Sequence, residues 1–228
     1  MGKKKLQRFA AITKMDNVFE QIQRSSLVPD FELRGNWHKN YFKNDNPIVL
    51  ELGCGKGEYT VGLAQQYPNK NFVGLDLKGN RIWVGATQLK EKNLNNGAFL
   101  RCRIENIATC FAPDEVSEIW ITFADPQPQK TRENKRLTAQ RFLEKYKQIL
   151  KPGGIIHLKT DSTLLYESTL EVIKENNHQL ILHTSDLYHK TPVNIEQSLL
   201  SIQTHYEKLF TAKGFLINYI QFQLNDKR

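Results

Sequence analysis

From residue 48 onward the chain alternates between two patterns of apolar positions. Short apolar, β-branched runs at 48–52, 71–76, 98–102, 118–123, 154–160, 179–184 and 215–223 are bounded by Gly, Pro and polar clusters, which predicts strands. Between them, stretches at 57–67, 79–92, 134–150, 162–176 and 204–213 carry apolar residues at helical spacing. Tyr59, Leu63 and Tyr67 mark one such face before Pro68 stops it, and Ala139, Leu143, Tyr146 and Leu150 mark another before Lys151-Pro-Gly-Gly154. Helices of this length between short strands imply right-handed crossovers and a doubly wound α/β fold. The expected sheet is mainly parallel and seven-stranded, with helices on both faces and the last two strands antiparallel at one edge.

The first 46 residues do not share this rhythm. Lys3, Lys4, Lys5 and Arg8, with Phe9 beside them, make a basic arm that either contacts phosphate or is a solvated tail. A helix is expected over 16–24, and the polar stretch 36–46 is expected to be irregular. With no internal repeat, the organisation expected is a basic N-terminal extension over 1–46 and one domain over 47–228.

The organising stretch is Ile48-Val-Leu-Glu-Leu-Gly-Cys-Gly-Lys-Gly-Glu58. A buried strand leads into Gly53, Gly55 and Gly57 at alternate positions, and a helix follows. Such a turn lets backbone approach a ligand where a Cβ would clash. Glu51 sits at its mouth, and Asp76 ends the next strand about twenty residues past the last glycine, where an acid can grip ribose hydroxyls. The spacing Gly-x-Gly-x-Gly differs from the Gly-x-Gly-x-x-Gly of pyrophosphate binders, and an acid beside the turn repels a diphosphate. A ligand with a ribose, an ammonium and a sulfonium fits these groups better. The bland alternative is a tight strand–helix connection with no ligand. The loop resembles the cofactor loop of S-adenosyl-L-methionine-dependent methyltransferases with the Rossmann-like fold.

Charge and cysteine usage narrow the class. Lys plus Arg number 32 and Asp plus Glu 24 in 228 residues, a net charge of +8 that suits a polyanionic partner. Cys54, Cys102 and Cys110 form no Cys-x-x-Cys pair and read as reduced thiols of a cytoplasmic protein, with no metal site. No apolar run approaches a membrane span, and the basic start lacks the apolar stretch of a secretory signal.

In a doubly wound sheet, ligands lie beyond the carboxyl ends of the strands. Stretches 51–57, 76–78, 103–106 and 123–130 should converge there. In the last, two prolines stiffen Phe123-Ala-Asp-Pro-Gln-Pro-Gln-Lys130, and Lys130, Arg132, Lys135 and Arg136 follow closely. A stiff acidic loop running into four cations suits a polyanion that docks while one base enters a pocket; a proline turn with a solvated helix start is the alternative. Asp125-Pro-Gln-Pro-Gln-Lys-Thr-Arg-Glu-Asn-Lys-Arg-Leu resembles the Asp-Pro-Trp-Pro-Lys-Lys-Arg-His-x-Lys-Arg-Arg signature of the tRNA (guanine-N7-)-methyltransferase family. Lys159-Thr-Asp161 and Thr204-His-Tyr-Glu207, similar to the family's Thr-Lys-Phe-Glu, follow in family order, so the resemblance spans roughly 48–214.

That resemblance implies transfer of the methyl group of S-adenosyl-L-methionine to N7 of guanosine 46 in the tRNA variable loop, by a cytoplasmic monomer or homodimer. It implies Glu51, Gly53, Gly55, Gly57, Asp76 and Asp125 at the cofactor, with Asp125 also the catalytic residue at the reacting centre. Gln129, Lys130, Asp161, Thr204, His205, Tyr206 and Glu207 are implied on the tRNA side. Gln127 and Gln129 stand where the family has Trp and Lys, which leaves Lys130 as the nearest cation. The adenine position after the third strand falls on Ile104 or Glu105, with Glu105 favoured. Asp161 either meets the base or caps the next helix, because Thr160-Asp-Ser162 is also cap chemistry. Competing readings are a small-molecule methyltransferase, which would not require the basic cluster, and a non-catalytic RNA-binding subunit, in which an intact cofactor loop would have no use. A nicotinamide dehydrogenase is disfavoured by the glycine spacing.

Overall fold

The structure, a computed structural model, describes residues 2–23, 29–193 and 195–225, with backbone alone for 2–4 and 197. The side chains of Lys3 and Lys4, and Arg24 at the end of the expected 16–24 helix, lie outside the described residues. Strands β1 (Val18–Gln21), β2 (Ile48–Leu52), β3 (Asn71–Asp76), β4 (Gly97–Cys102), β5 (Val116–Thr122), β6 (Leu150–Thr160), β7 (Gln179–Thr184) and β8 (Asn218–Gln223) form one sheet in the order β1-β4-β3-β2-β5-β6-β8-β7. Neighbours are parallel from β1 to β6, and β8 runs antiparallel to both β6 and β7. The helices are α1 (Gly2–Ile12), α2 (Glu58–Gln66), α3 (Gly79–Glu91), α4 (Ile107–Cys110), α5 (Gln140–Lys147), α6 (Thr163–Glu175), α7 (Gln197–Ser201) and α8 (His205–Ala212).

Alternation along β2 shows why both faces are covered. Ile48, Leu50 and Leu52 join one apolar cluster with Phe142 and Tyr146 of α5 and Leu165 of α6. Val49 points the other way, into a cluster with Leu63 of α2, Ile82 of α3 and Leu199 of α7. Among the described residues no helix is long and apolar enough to cross a membrane.

Among the described residues the sheet has eight strands where seven were expected. The extra one, β1, occupies residues expected to be helical and pairs in parallel with β4 at the edge, Val18 opposite Phe99. Phe19 decides this: it packs edge-on against Trp37 and Tyr41 at 5.3 and 5.1 Å between ring centroids. Tertiary burial outweighs local propensity there. The 36–46 stretch is likewise not irregular. Trp37–Phe42 forms a π-helical turn because Trp37 is fully buried, stacks on Phe111 at 5.3 Å and donates to the Cys110 carbonyl at 3.0 Å.

A third correction bears on the site. The helix expected over 134–150 is two pieces, a 3₁₀ turn at Lys130–Lys135 and then α5. Arg136 and Ala139 are extended between them. The buried Thr138 hydroxyl bonds that of Thr169 at 2.7 Å, which holds this break against α6. The N-terminal residues form helix α1 against α3, with Arg8 over the Trp83 ring at 4.5 Å and Phe9 under Arg101 at 4.9 Å.

Candidate active site

The turn after β2 is tied to β3 by backbone. The amides of Gly53 and Cys54 both donate to the Leu75 carbonyl, at 2.8 and 2.9 Å. Gly55 then donates to Asp76 Oδ2 at 3.0 Å, and Asp76 Oδ1 accepts from Lys78 at 2.8 Å. One carboxylate thus braces both loops. Gly53 and Gly55 have φ of +73° and +57°, and a Cβ on either would meet nothing nearer than 3.9 Å. That open space is the cradle itself.

Gly57 differs. A Cβ there would lie 2.3 Å from the Phe99 ring, and it lines none of the cavities beside the turn. Gly74 and Gly85 meet the same ring, so Gly57 serves close packing of α2 and α3 on the sheet.

Three cavities adjoin at Gly53. One of about 530 Å³ is lined by Asp76, Lys78, Ile104, Glu105 and Phe142 among others. It brings both candidates for the adenine position, Ile104 and Glu105, to the same wall as Asp76, the residue expected at the ribose. A smaller one of about 140 Å³ is lined by Glu51, Gly55, Arg81, Thr122 and the 204–206 segment. A third, of about 610 Å³, brings Asp125 and Asp161 together with Arg81, Lys135, Tyr206 and Phe210.

Glu51 is buried and accepts from the Thr60 amide at 2.8 Å, the Thr60 hydroxyl and the Thr122 hydroxyl at 2.7 Å. Burial pushes its carboxyl up to about 7, against those hydrogen bonds, which pull it down. A cationic group beside it would meet a carboxyl poised to ionise. The residues therefore fit S-adenosyl-L-methionine: an open backbone cradle, the Asp76 carboxylate on the adjoining wall and the buried Glu51 carboxyl beside the turn.

Asp125 is presented by a stiff and strained loop. Phe123 has φ +50° and donates its amide to the Lys159 carbonyl at 2.8 Å. Asp125 Oδ1 accepts from the Gln127 amide at 3.0 Å. Arg136 clamps the loop, donating from Nε to the Pro126 carbonyl at 3.1 Å and from its guanidinium to Ser168 at 2.8 Å. Only 9 % exposed, Arg136 is a structural member of the basic cluster rather than a surface cation. Lys130, Arg132 and Lys135 are exposed. Gln129 and Lys130 line none of the three cavities.

Asp161 is left to the cavity because Ser162 caps α6, accepting from the Leu165 amide at 3.2 Å. Burial raises its carboxyl above the usual range.

The 204–207 segment divides. Thr204 and Glu207 form a capping box at the start of α8, the Glu207 amide donating to the Thr204 hydroxyl at 3.1 Å. The His205 amide donates to Glu58 at 3.0 Å, tying α8 to α2. Thr204, His205 and Tyr206 reach the small cavity, whereas Glu207 is fully buried. Its carboxylate meets Lys159 Nζ at 2.7 Å and accepts from the Tyr188 hydroxyl. Glu207 faces the interior, paired with Lys159.

Sequence reasoning missed Arg81, which lines two of the cavities; Lys135, read there as one of the four cations of the basic cluster, also lines two. Arg81 carried a signal, since it falls in the first turn of α3 directly after the Asp76 loop.

Comparison with known proteins agrees with this architecture. A family model described as a putative methyltransferase matches residues 45–218. The chain is 48 % identical to the tRNA (guanine-N(7)-)-methyltransferase of Bacteroides thetaiotaomicron, over 98 % of this chain and 87 % of that protein. With the tRNA (guanine-N(7)-)-methyltransferase of Christiangramia forsetii the identity is 47 %, over 98 % of this chain and 99 % of that one. Among solved structures, the 16S rRNA methyltransferase KamB shares the fold at a TM-score of 0.60 and 14 % identity, covering 88 % of this chain and 97 % of that one. The nearly full-length identity to these relatives makes the chain a member of the tRNA (guanine-N(7)-)-methyltransferase family.

Proposed function

We propose that this chain methylates N7 of guanosine 46 in the variable loop of tRNA, with S-adenosyl-L-methionine as donor. The observation that carries the reading is the pair of carboxylates, Asp125 and Asp161, on one cavity that meets the glycine cradle at Gly53. The family's named activity supports the substrate.

When bound, S-adenosyl-L-methionine supplies an electrophilic methyl group on a sulfonium. Gly53 and Gly55 would admit it, Asp76 would hold its ribose, Glu105, with Ile104 the alternative, would meet its adenine, and Glu51 would face its ammonium. Guanine N7 carries an in-plane lone pair and no proton. No general base is required; the protein supplies placement and a negative field for the positive charge that develops on the purine. Asp125 and Asp161 do both, accepting from guanine N1–H and its exocyclic amine. Thr204, His205 and Tyr206 border the pocket on the tRNA side, with Gln129 and Lys130 at its outer approach.

The family model's start at residue 45 supports a catalytic domain over 47–228, to which the first 46 residues add α1 and the edge strand β1. The enzyme acts in the cytoplasm as a monomer or homodimer. The test is tRNA incubated with the protein and methyl-labelled cofactor, followed by cleavage at N7-methylguanine. One cut at the variable-loop guanine is expected; label on any other atom, or none, overturns the assignment.

A further inference from the structure

Helix α8 ends in a complete Schellman motif. Gly214 has φ +81° and donates to the Thr211 carbonyl at 2.9 Å, and Phe215 donates to the Phe210 carbonyl at 3.0 Å. This return places the Phe215 ring edge-on against Phe210 at 5.8 Å. Phe210 in turn is near-parallel to Tyr206, one helical turn earlier, at 6.3 Å and 21°. A helix stop needs only an apolar contact here, and any aliphatic side chain would serve. The aromatic choice leaves Tyr206 at 47 % and Phe215 at 51 % exposed, with Leu216 at 50 % beside them. Exposed rings in a row are unexplained by the stop alone.

Their place in the molecule suggests an occupant. Tyr206 and Phe210 line the same cavity as Asp125 and Asp161, so the row begins at the pocket for the target base and leads away from it. Lys213 is exposed at the end of the same helix, and Arg81 and Lys135 line the cavity where the row begins. A row of π faces bordered by cations is how proteins track a single-stranded nucleic acid without reading its sequence. Cations at the cavity end of the row and at the helix stop favour a polyanion over a protein partner.

We propose that Tyr206, Phe210 and Phe215 form a stacking platform for the unpaired nucleobases next to the target guanine, Phe215 lying farthest out. The platform holds the loop open while the target base sits between the carboxylates. This rests on the tRNA reading above and extends it to two residues outside every recognised motif.

The experiment compares wild type with Phe210→Leu, Phe215→Leu and Phe215→Trp. Substrate is tRNA carrying 2-aminopurine beside the target guanine. Leucine keeps the apolar contact of the helix stop, and thermal melts confirm the fold. Phe215→Leu should raise KM for tRNA roughly tenfold, the order associated with losing one base–aromatic stack. Its kcat should stay within about twofold of wild type, and cofactor affinity should be unchanged. Binding should quench 2-aminopurine in wild type and in Phe215→Trp, and the quench should shrink in both leucine variants. Wild-type KM and quench in the folded leucine variants would overturn the platform, and so would a dimer that dissociates in Phe215→Leu without any change in quench. Absence of N7 methylation by wild type itself would instead refute the tRNA reading, so the two failures are distinct.

Discussion

The ammonium of Lys159 lies 2.7 Å from the carboxylate of Glu207, and neither side chain is exposed at all. Lys159 comes from β6, two residues before Asp161, and Glu207 from the first turn of α8. Lys159 also donates to the carbonyls of Leu199 and Ile202 at 2.6 and 3.3 Å. Burial lowers its pKa, and Glu207 opposes that shift. The pair therefore welds the segment that carries Tyr206 to the strand that leads into Asp161.

Removing one partner should be costly, because it strands the other charge in the interior. Glu207→Ala is expected to lower unfolding free energy by about 3–5 kcal/mol, with about 1 kcal/mol more for the missing cap. Denaturant titration measures this. A loss of under about 1 kcal/mol would mean that Glu207 is solvated and free to meet substrate.

The glycines of the turn should separate by phenotype. Gly57→Ala drives a Cβ into Phe99 and forces a left-handed backbone, so its melting temperature should drop by several degrees or it should fail to fold. Gly55→Val has room but fills the cradle. It should stay folded, at a cost of about 1–2 kcal/mol for its φ, and lose S-adenosyl-L-methionine binding in calorimetry. Wild-type affinity in folded Gly55→Val would remove the cofactor from that loop.

The basic cluster should split likewise. Alanine at Lys130, Arg132 and Lys135 should flatten the salt dependence of tRNA binding, by about 0.7–0.9 in log–log slope for each phosphate no longer neutralised. Arg136→Ala should leave the slope unchanged while slowing methyl transfer, since it releases the loop that presents Asp125. An Arg136 variant with wild-type rate and a lower slope would return that residue to the surface cluster.

Much of this was legible in the sequence because the parallel strands are buried on both sides and read as apolar runs whatever their partners. The crossover helices announced themselves by the same token. Strand β1 did not, since Val18-Phe-Glu-Gln21 is short and half polar, and its strand character comes from a β4 edge about eighty residues away. Trp37 looked like a residue in a polar loop until Phe111 and the Cys110 carbonyl were beside it. At the site, residue type announced Asp76, Asp125 and Asp161, but not direction. That Arg136 clamps the Pro126 carbonyl, Gly57 packs on Phe99 and Glu207 pairs with Lys159 is visible only in the fold.

Two pH dependences should separate binding from chemistry. Burial raises Glu51 from an ordinary 4.5 to about 7 in the folded chain. A carboxyl whose folded pKa lies above its unfolded value favours the fold at low pH, and that contribution is lost as pH climbs from about 4.5 through about 7. The ligand-free protein should therefore melt progressively lower across that window. Cofactor binding should move the opposite way, because the ammonium prefers the ionised carboxylate: affinity should rise through pH 7 and then level off. Glu51→Gln should flatten both trends. The single-turnover transfer rate with tRNA and cofactor saturating should be nearly flat from mildly acidic to mildly alkaline pH, since N7 has no proton to lose. Asp125→Asn should slow it by about 10²–10³-fold, the order for one preorganised electrostatic interaction, without adding a pH dependence. A wild-type rate climbing tenfold per pH unit, with the climb gone in Asp125→Asn, would make Asp125 a general base. It would also move the target to an atom that must be deprotonated before it can be methylated.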